Sequence, residues 1–149
     1  MRKSELKYLD WSDIDFGRRK IKIRRKADWQ PKTGEREVPM NDRLYELLMD
    51  MKEQNDSGLQ SIYVFPHKDG GRIRMKLREK MIEIAKRAGI KDLTKPHTLR
   101  HTFASHLVMQ GVDLPTVKKL MGHSDIQTTM IYAHLAADHL ADAVNKLSF

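Results

Sequence analysis

The spacing of the hydrophobic residues changes once along this 149-residue chain, and that change constrains the fold class. In RKIKIRRK, Ile21 and Ile23 alternate with charged residues, which is typical of a half-buried strand. The turn-forming stretch ADWQPKTGE follows, and REVPM resumes an extended run. Residues 19–39 therefore predict a β-hairpin with a long tip, and Pro39 indicates an edge strand or a strand end.

After the hairpin, apolar residues recur at helical spacing. The predicted apolar faces are Leu44, Leu47, Leu48 and Met51, then Leu77, Met81, Ile84, Ala85 and Ala88, and then Leu99, Phe103 and Leu107. A short helix begins near Pro115 and ends at Gly122. Ser124 and Gln127 predict a capping box for a helix that carries Tyr132. The order of elements predicts an α+β fold that is mostly helical, with a small antiparallel sheet near the N-terminus.

Positive charge is concentrated in two blocks of the chain, whose formal net charge is +8. Residues 18–36 contain nine Lys and Arg against two Asp and Glu, and residues 68–100 contain eleven against four. Solubilising charge would be spread more evenly, so we interpret the blocks as a surface for nucleic acid; a merely solvated basic surface is the alternative. The candidate DNA contacts are Arg24, Arg25, Lys26, Arg72, Arg74 and Lys76.

Composition excludes several classes of site and location. The absence of cysteine excludes disulfides, thiolate nucleophiles and cysteine-ligated zinc. His97 and His101 are four residues apart, as in a zinc helix, but the acid of a zinc-protease helix is missing between them, so we predict no metal and no cofactor. Without a long apolar run or a signal peptide, we expect a cytoplasmic, nucleoid-associated protein with no membrane partner.

Two short stretches contain residues suited to phosphate chemistry. In HTLRH, His97 and Arg100 share a helix face and could bind an anion, although for these two residues alone a helix cap and an ion pair with a core acid are the more ordinary explanation. In MGHSDIQTTMIYAHL, Tyr132 stands between His123 and His134. A buried structural tyrosine is the ordinary interpretation, and a nucleophile is the alternative.

The combination of these motifs resembles the phage-integrase family of tyrosine recombinases. Residues 97–135 contain H-x-L-R-H, L-x-G-H and T-x-x-Y elements in that family's order and spacing, with Met121 where the family often has Leu. The resemblance extends to the N-terminal MRKSELKYLDWSDID and to the basic hairpin, and so covers nearly the whole chain. It implies a tyrosine-recombinase catalytic domain over residues 1–149, truncated at its N-terminus because the DNA-clamping domain and about two helices would precede it.

The resemblance also implies a set of site residues. The catalytic residues would be Arg2, Lys32, His97, Arg100, His123 and Tyr132, supported by Glu5, His101 and His134. Two arginines and His123 would bind the phosphate oxygens, because guanidinium groups match them bidentately. Lys32 would protonate the leaving 5′ oxygen, with Lys26 as its rival, and His97 would help to move the proton of Tyr132. A pocket of such cations is expected to favour the phenolate of Tyr132.

The implied reaction is DNA cleavage and rejoining through a covalent 3′-phosphotyrosine, without metal or ATP. A non-catalytic DNA-binding remnant of an integrase is the alternative, whereas an RNA-binding protein is disfavoured because only 7% of the residues are aromatic. In the C-terminal tail, Leu140, Val144 and Leu147 share one face. That face would pack within the chain or, as in the family, dock on a neighbouring protomer of a homo-oligomer.

Overall fold

The computed structural model describes residues 1–74, 77–91, 93 and 95–136. The chain divides into two compact units, Met1–Thr98 and Leu99–Phe149. The predicted DNA contact Lys76 and the predicted docking face of the tail lie outside the described residues. None of the described helices is both long and apolar enough to cross a bilayer.

The first unit begins with helix α1 and continues into a three-stranded antiparallel sheet of order β1-β2-β3. Its elements are α1 (Lys3–Lys7), β1 (Ile14–Asp15), β2 (Lys20–Ile23), β3 (Arg36–Pro39), α2 (Asp42–Ser57) and α3 (Leu77–Arg87). The predicted hairpin is confirmed, with Ile21 opposite Val38 and Ile23 opposite Arg36. Pro39 lies at the end of β3, an outer strand of this sheet, where its missing N–H costs no ladder hydrogen bond.

The core of the first unit forms where the buried face of the sheet meets α2. Its buried members are Leu9, Ile14, Ile21, Ile23, Met40, Leu48 and Val64. Three predicted core positions are wrong, because Leu47 on α2 and Ile84 on α3 are exposed, as is Ala88 just after α3. Leu48 and Ala85, which belong to the same predicted faces, are buried, so the buried stripe of each helix is narrower than predicted.

The second unit contains most of helix α4 (Pro96–Met109), then α5 (Leu114–Met121) and the single-turn α6 (Gln127–Met130). Its core consists of Ala104, Val108, Val117, Met121 and Tyr132. The prediction for α4 was partly wrong, because Leu99 and Phe103 are 55% and 49% exposed. The helix buries Ala104 and Val108, which form their own i, i+4 stripe, and only Leu107 of the predicted face packs against this core.

Helix α5 has the ends that the sequence predicts. The Asp113 side chain accepts a hydrogen bond from the Thr116 N–H at 2.8 Å, which satisfies one of the unpaired donors of the first turn. Pro115 lies in that turn, where no N–H is needed. Gly122 ends the helix in the left-handed conformation, with φ of 65°, and so directs the chain toward His123.

The predicted capping box at Ser124 is wrong. The Asp125 carboxylate accepts from the Gln127 N–H at 3.1 Å, and this local turn competes with a helix start at Ser124. Helix α6 therefore begins only at Gln127 and ends after one turn. Tyr132 lies beyond α6, immediately before a 3₁₀ turn at Ala133–Leu135.

Candidate active site

Glu5 is the buried acid around which the cations of the first unit are arranged. Its carboxylate accepts hydrogen bonds from the Arg2 N–H at 2.7 Å and from the two terminal nitrogens of Arg36 at 3.0 and 2.8 Å. Burial alone would raise the pKa of Glu5, but the hydrogen bonds from Arg36 and Arg2 outweigh it and hold that pKa at about 2. Glu5 is therefore ionised at neutral pH and fixes both arginines.

Arg2 connects this acid to the tip of the hairpin. Its Nη1 donates to Thr33 Oγ1 at 2.8 Å and lies 3.2 Å from Glu5 Oε1. Thr33 follows Lys32, whose side chain is exposed. The structure thus brings together two of the predicted site residues of this unit, Arg2 and Glu5, and joins them to the segment that carries Lys32.

The two candidate general acids differ in their surroundings. The Lys26 amine lies 2.6 Å from Asp10 Oδ2 and 2.6 Å from Asp13 Oδ2, and its side chain is largely buried. Lys32 forms no ion pair with any residue that the structure describes, and it is exposed. A general acid must reach the leaving oxygen, so these contacts favour Lys32.

Most of the predicted DNA contacts are already paired with carboxylates. Arg24 Nε lies 2.6 Å from Asp13 Oδ1, Arg72 Nη2 donates to Asp28 Oδ1 at 2.8 Å, and Arg74 Nη2 lies 3.3 Å from Asp69 Oδ2. The Arg72–Asp28 pair also joins the two basic blocks. Arg25, by contrast, has an exposed side chain. The number of charges along the sequence does not reveal these pairings.

Tyr132 is a member of the core of the second unit. Its side chain is 5% exposed, and its Oη lies 2.6 Å from His101 Nδ1. Burial raises the pKa of Tyr132, and the nearby charge of Arg100 offsets this only in part. The expectation that the pocket favours the phenolate is therefore wrong for the protein without DNA, because desolvation outweighs the cation.

Arg100 and His123 are held by hydrogen bonds to uncharged groups. The Arg100 guanidinium donates to the Met121 carbonyl at the C-terminal end of α5. His123 Nδ1 lies 2.9 Å from the hydroxyl of Thr129, which is 0% exposed. Both contacts depend on the end of α5. The contact between His123 and Thr129 also joins the motif elements L-x-G-H and T-x-x-Y in space.

His97 and His134 are both exposed, the first in the opening turn of α4 and the second in the 3₁₀ turn after Tyr132. Their predicted roles stay predictions. Arg36, Thr33 and Thr129 were not predicted from the sequence as residues of the site. Thr129 is the threonine of the T-x-x-Y element, so the sequence contained a signal for it. The contact of Arg36 with Glu5 had no such signal, because it depends on how the hairpin packs on α1.

Among the described residues, no group of three or more His, Asp or Glu side chains is arranged to hold a metal ion. The arrangement provides guanidinium and imidazole groups and a phenol. These groups suit the binding of an anion and attack on it.

Comparison with known proteins identifies the family. The Phage integrase family matches residues 1–139. The chain is 34% identical to the tyrosine recombinase XerC of Corynebacterium glutamicum, over 98% of this chain and 46% of that protein. It is also similar to the catalytic domain of bacteriophage HP1 integrase, with 33% identity, a TM-score of 0.64, and coverage of 98% of this chain and 74% of the other.

A further solved structure is similar in fold and contains DNA. The integrase of transposon Tn1549 in complex with transposon right end DNA has 25% identity and a TM-score of 0.76, over 98% of this chain and 54% of the other. The chain spans about half the length of the curated relatives that it matches. Its fold is that of a tyrosine-recombinase catalytic domain, and the chain belongs to the Phage integrase family.

Proposed function

We propose that this chain is the catalytic domain of a site-specific recombinase that cleaves and rejoins double-stranded DNA through a covalent 3′-phosphotyrosine. The observation that carries the proposal is the position of Tyr132, whose hydroxyl contacts His101 and whose pKa responds to the charge of Arg100. A purely structural tyrosine has no need of a nearby guanidinium. Family membership and the DNA complex of the Tn1549 integrase support the same conclusion.

The proposed chemistry uses cations because a phosphodiester repels nucleophiles through its own negative charge. Arg2 and Arg100 bind the non-bridging oxygens, and His123 donates a further hydrogen bond. Tyr132 attacks the phosphorus, and Lys32 protonates the 5′ oxygen that leaves. The phosphotyrosine ester conserves the energy of the broken bond, so a 5′-hydroxyl can later reverse the step without metal or ATP.

The partner and assembly follow from the same proposal. The substrate is duplex DNA, which the basic residues of the hairpin and of the segment that follows α2 contact. A homo-oligomer linked through the C-terminal tail stays a prediction, as does a location in the cytoplasm on the nucleoid. Light scattering on the whole chain and on a chain that ends at Ala136 tests the assembly, since equal monomeric masses would contradict it.

The test of catalysis is covalent trapping on a nicked duplex. The duplex is nicked just beyond the scissile phosphate, so that cleavage releases a short fragment and leaves the protein attached to DNA. We expect an adduct in EDTA on a denaturing gel, no adduct with Tyr132→Phe, and a rate lowered about 100- to 1000-fold with Arg100→Ala. An adduct that survives Tyr132→Phe, or one that requires a divalent cation, would contradict the mechanism.

Non-catalytic DNA binding is the second candidate, favoured by the burial and the raised pKa of Tyr132. The same experiment separates the two functions. A chain that shifts labelled duplex on a native gel but forms no adduct on the nicked substrate supports the second function and contradicts the first.

A further inference from the structure

We propose that Thr33 is a positioning residue that ties the general acid Lys32 to the phosphate-binding Arg2. This inference rests on the proposed function and deepens it, because it says how two cations from different elements are brought to one phosphate. Thr33 Oγ1 accepts a hydrogen bond from Arg2 Nη1 at 2.8 Å. Thr33 directly follows Lys32, so its contact with Arg2 also limits where the lysine can lie.

Lys32 and Thr33 are the two central residues of one tight turn. The Gly34 N–H donates to the Pro31 carbonyl at 3.3 Å, and this bond closes the four-residue turn. Pro31 is buried, whereas the Lys32 side chain is exposed. A closed turn restricts the backbone dihedral angles of its central residues, so their side chains leave the backbone in related directions. Anchoring Thr33 therefore restricts Lys32 as well.

The strand pairing of the hairpin does not extend to this turn. The ladder between β2 and β3 ends at Ile23 and Arg36, and residues 24–35 form the tip beyond it. On the β2 side of the tip, Lys26 is held by two carboxylates. On the β3 side, the hydrogen bond of Thr33 joins the turn to the residue that precedes α1. Thr33 thus supplies an anchor close to the general acid.

Two cations that act on one phosphate repel each other until the anion is bound. Arg2 is held by the Glu5 carboxylate, whose Oε1 lies 3.2 Å from Nη1. Lys32 is paired with no acid in the part of the chain that the structure describes. The hydrogen bond of Thr33, which is shorter than the Arg2–Glu5 contact, restrains the lysine instead. It therefore reduces the entropy that is lost when the lysine meets the leaving oxygen.

The first test measures the mobility of the turn in the whole chain without DNA. Because the chain contains no cysteine, Lys32→Cys provides a single site for a nitroxide label at the position of the general acid. Thr33→Val, which nearly keeps the shape and removes the hydroxyl, should increase the mobility of the label in the EPR spectrum. Arg2→Ala should increase it as much, and Thr33→Ser should leave it as in the parent. A label whose mobility is unchanged by Thr33→Val would overturn the proposal.

The second test measures single-turnover adduct formation on the nicked duplex. Thr33→Val should lower the rate by about 10-fold, because one orienting hydrogen bond is lost. The matched control is Thr33→Ser, which keeps the hydroxyl and should stay within about 3-fold of the parent. In a Lys32→Ala background, Thr33→Val should cost less than about 3-fold, because there is no lysine left to position. An equal loss of rate in both backgrounds would mean that Thr33 does not act through Lys32 and would overturn the proposal.

A substrate with sulfur at the 5′ bridging position separates positioning of the general acid from general damage to the site. A thiolate leaves without a proton because its pKa is near ~8.5, so this substrate should restore both Lys32→Ala and Thr33→Val. A valine variant that is as slow on sulfur as on oxygen would contradict the proposal. If the parent chain forms no adduct on any substrate, it is the proposed function that fails, and the mobility of the label still decides whether Thr33 anchors the turn.

Discussion

The two units of this chain hold their functional cations in different ways. In the first unit, Arg2 and Arg36 are bound to a buried carboxylate, and Lys26 is bound to two acids. In the second, Arg100 and His123 are oriented by a carbonyl and a hydroxyl. An ion pair holds a cation through charge and direction together, whereas a hydrogen bond to a neutral group holds it through direction. The cations of the first unit therefore belong to an ion-pair network around buried acids, whereas the described contacts of Arg100 and His123 depend on the end of α5 and on Thr129.

The largest expected effect is on the scaffold, through Glu5→Gln. Removing the charge from a buried carboxylate that binds two arginines should lower the free energy of unfolding at pH 7 by about 3 kcal/mol. The folded pKa of Glu5, about 2, lies below its ordinary value of 4.5. Its contribution is therefore complete above pH 4.5 and is lost as the pH falls toward 2. Urea unfolding at pH 7 and pH 3 measures this difference.

The control for this prediction is Glu53→Gln, which neutralises an exposed acid on α2. It should change the free energy of unfolding by less than about 0.5 kcal/mol. The difference in the free energy of unfolding between the parent chain and Glu5→Gln should be smaller at pH 3 than at pH 7. Two results would contradict the role given to Glu5. One is equal stability of the two glutamine variants at pH 7, and the other is a difference between the parent chain and Glu5→Gln that is larger at pH 3 than at pH 7.

A smaller effect is expected in the second unit from Thr129→Val, which has nearly the same shape and lacks the hydroxyl. His123 should lose the partner that orients its ring, at a cost of about 1–2 kcal/mol in the reaction barrier, or roughly 10-fold in the rate of adduct formation. Thr129→Ser keeps the hydroxyl and should restore most of the rate. If the valine variant reacts like the parent, the Thr129 contact does not orient His123 for the reaction.

Part of the structure of the hairpin could be predicted from the sequence, and part of it could not. The alternation of Ile21 and Ile23 was sufficient to predict β2, because period-two burial depends only on local sequence. The Arg36–Glu5 contact was not predictable, because it depends on strand register and on the packing of α1 over the sheet. Likewise, charge counting identified the basic blocks but not which cations are neutralised by nearby acids.

The segment that carries Tyr132 shows the same division between local and tertiary information. The start and the end of α5 were predictable, because Pro115 and Gly122 have strong local preferences. The start of α6 was not, because Ser124 and Asp125 offer competing local hydrogen bonds. The site residues themselves followed from family motifs, and their contacts depend on tertiary packing, such as that between Tyr132 and His101.

The smallest expected effect compares two adjacent arginines in DNA binding. Both side chains are exposed, but Arg24 is paired with Asp13. Arg25→Ala should reduce the salt dependence of duplex binding by about one released counterion, and Arg24→Ala by less, because Asp13 already neutralises part of its charge. Titrations of labelled duplex at several salt concentrations measure both slopes. Equal slopes for the two variants would mean that the ion pair between Arg24 and Asp13 breaks when DNA binds.

The most direct test of the central claim identifies the residue that is joined to DNA. The parent chain is incubated with the nicked duplex in EDTA, the adduct is digested with protease and nuclease, and the remaining peptide is sequenced by mass spectrometry. We predict a nucleotide 3′-phosphate on the Tyr132 oxygen and a free 5′-hydroxyl on the released strand. Attachment to Tyr8, Tyr45 or Tyr63, or a 5′-phosphate linkage to Tyr132, would contradict the account.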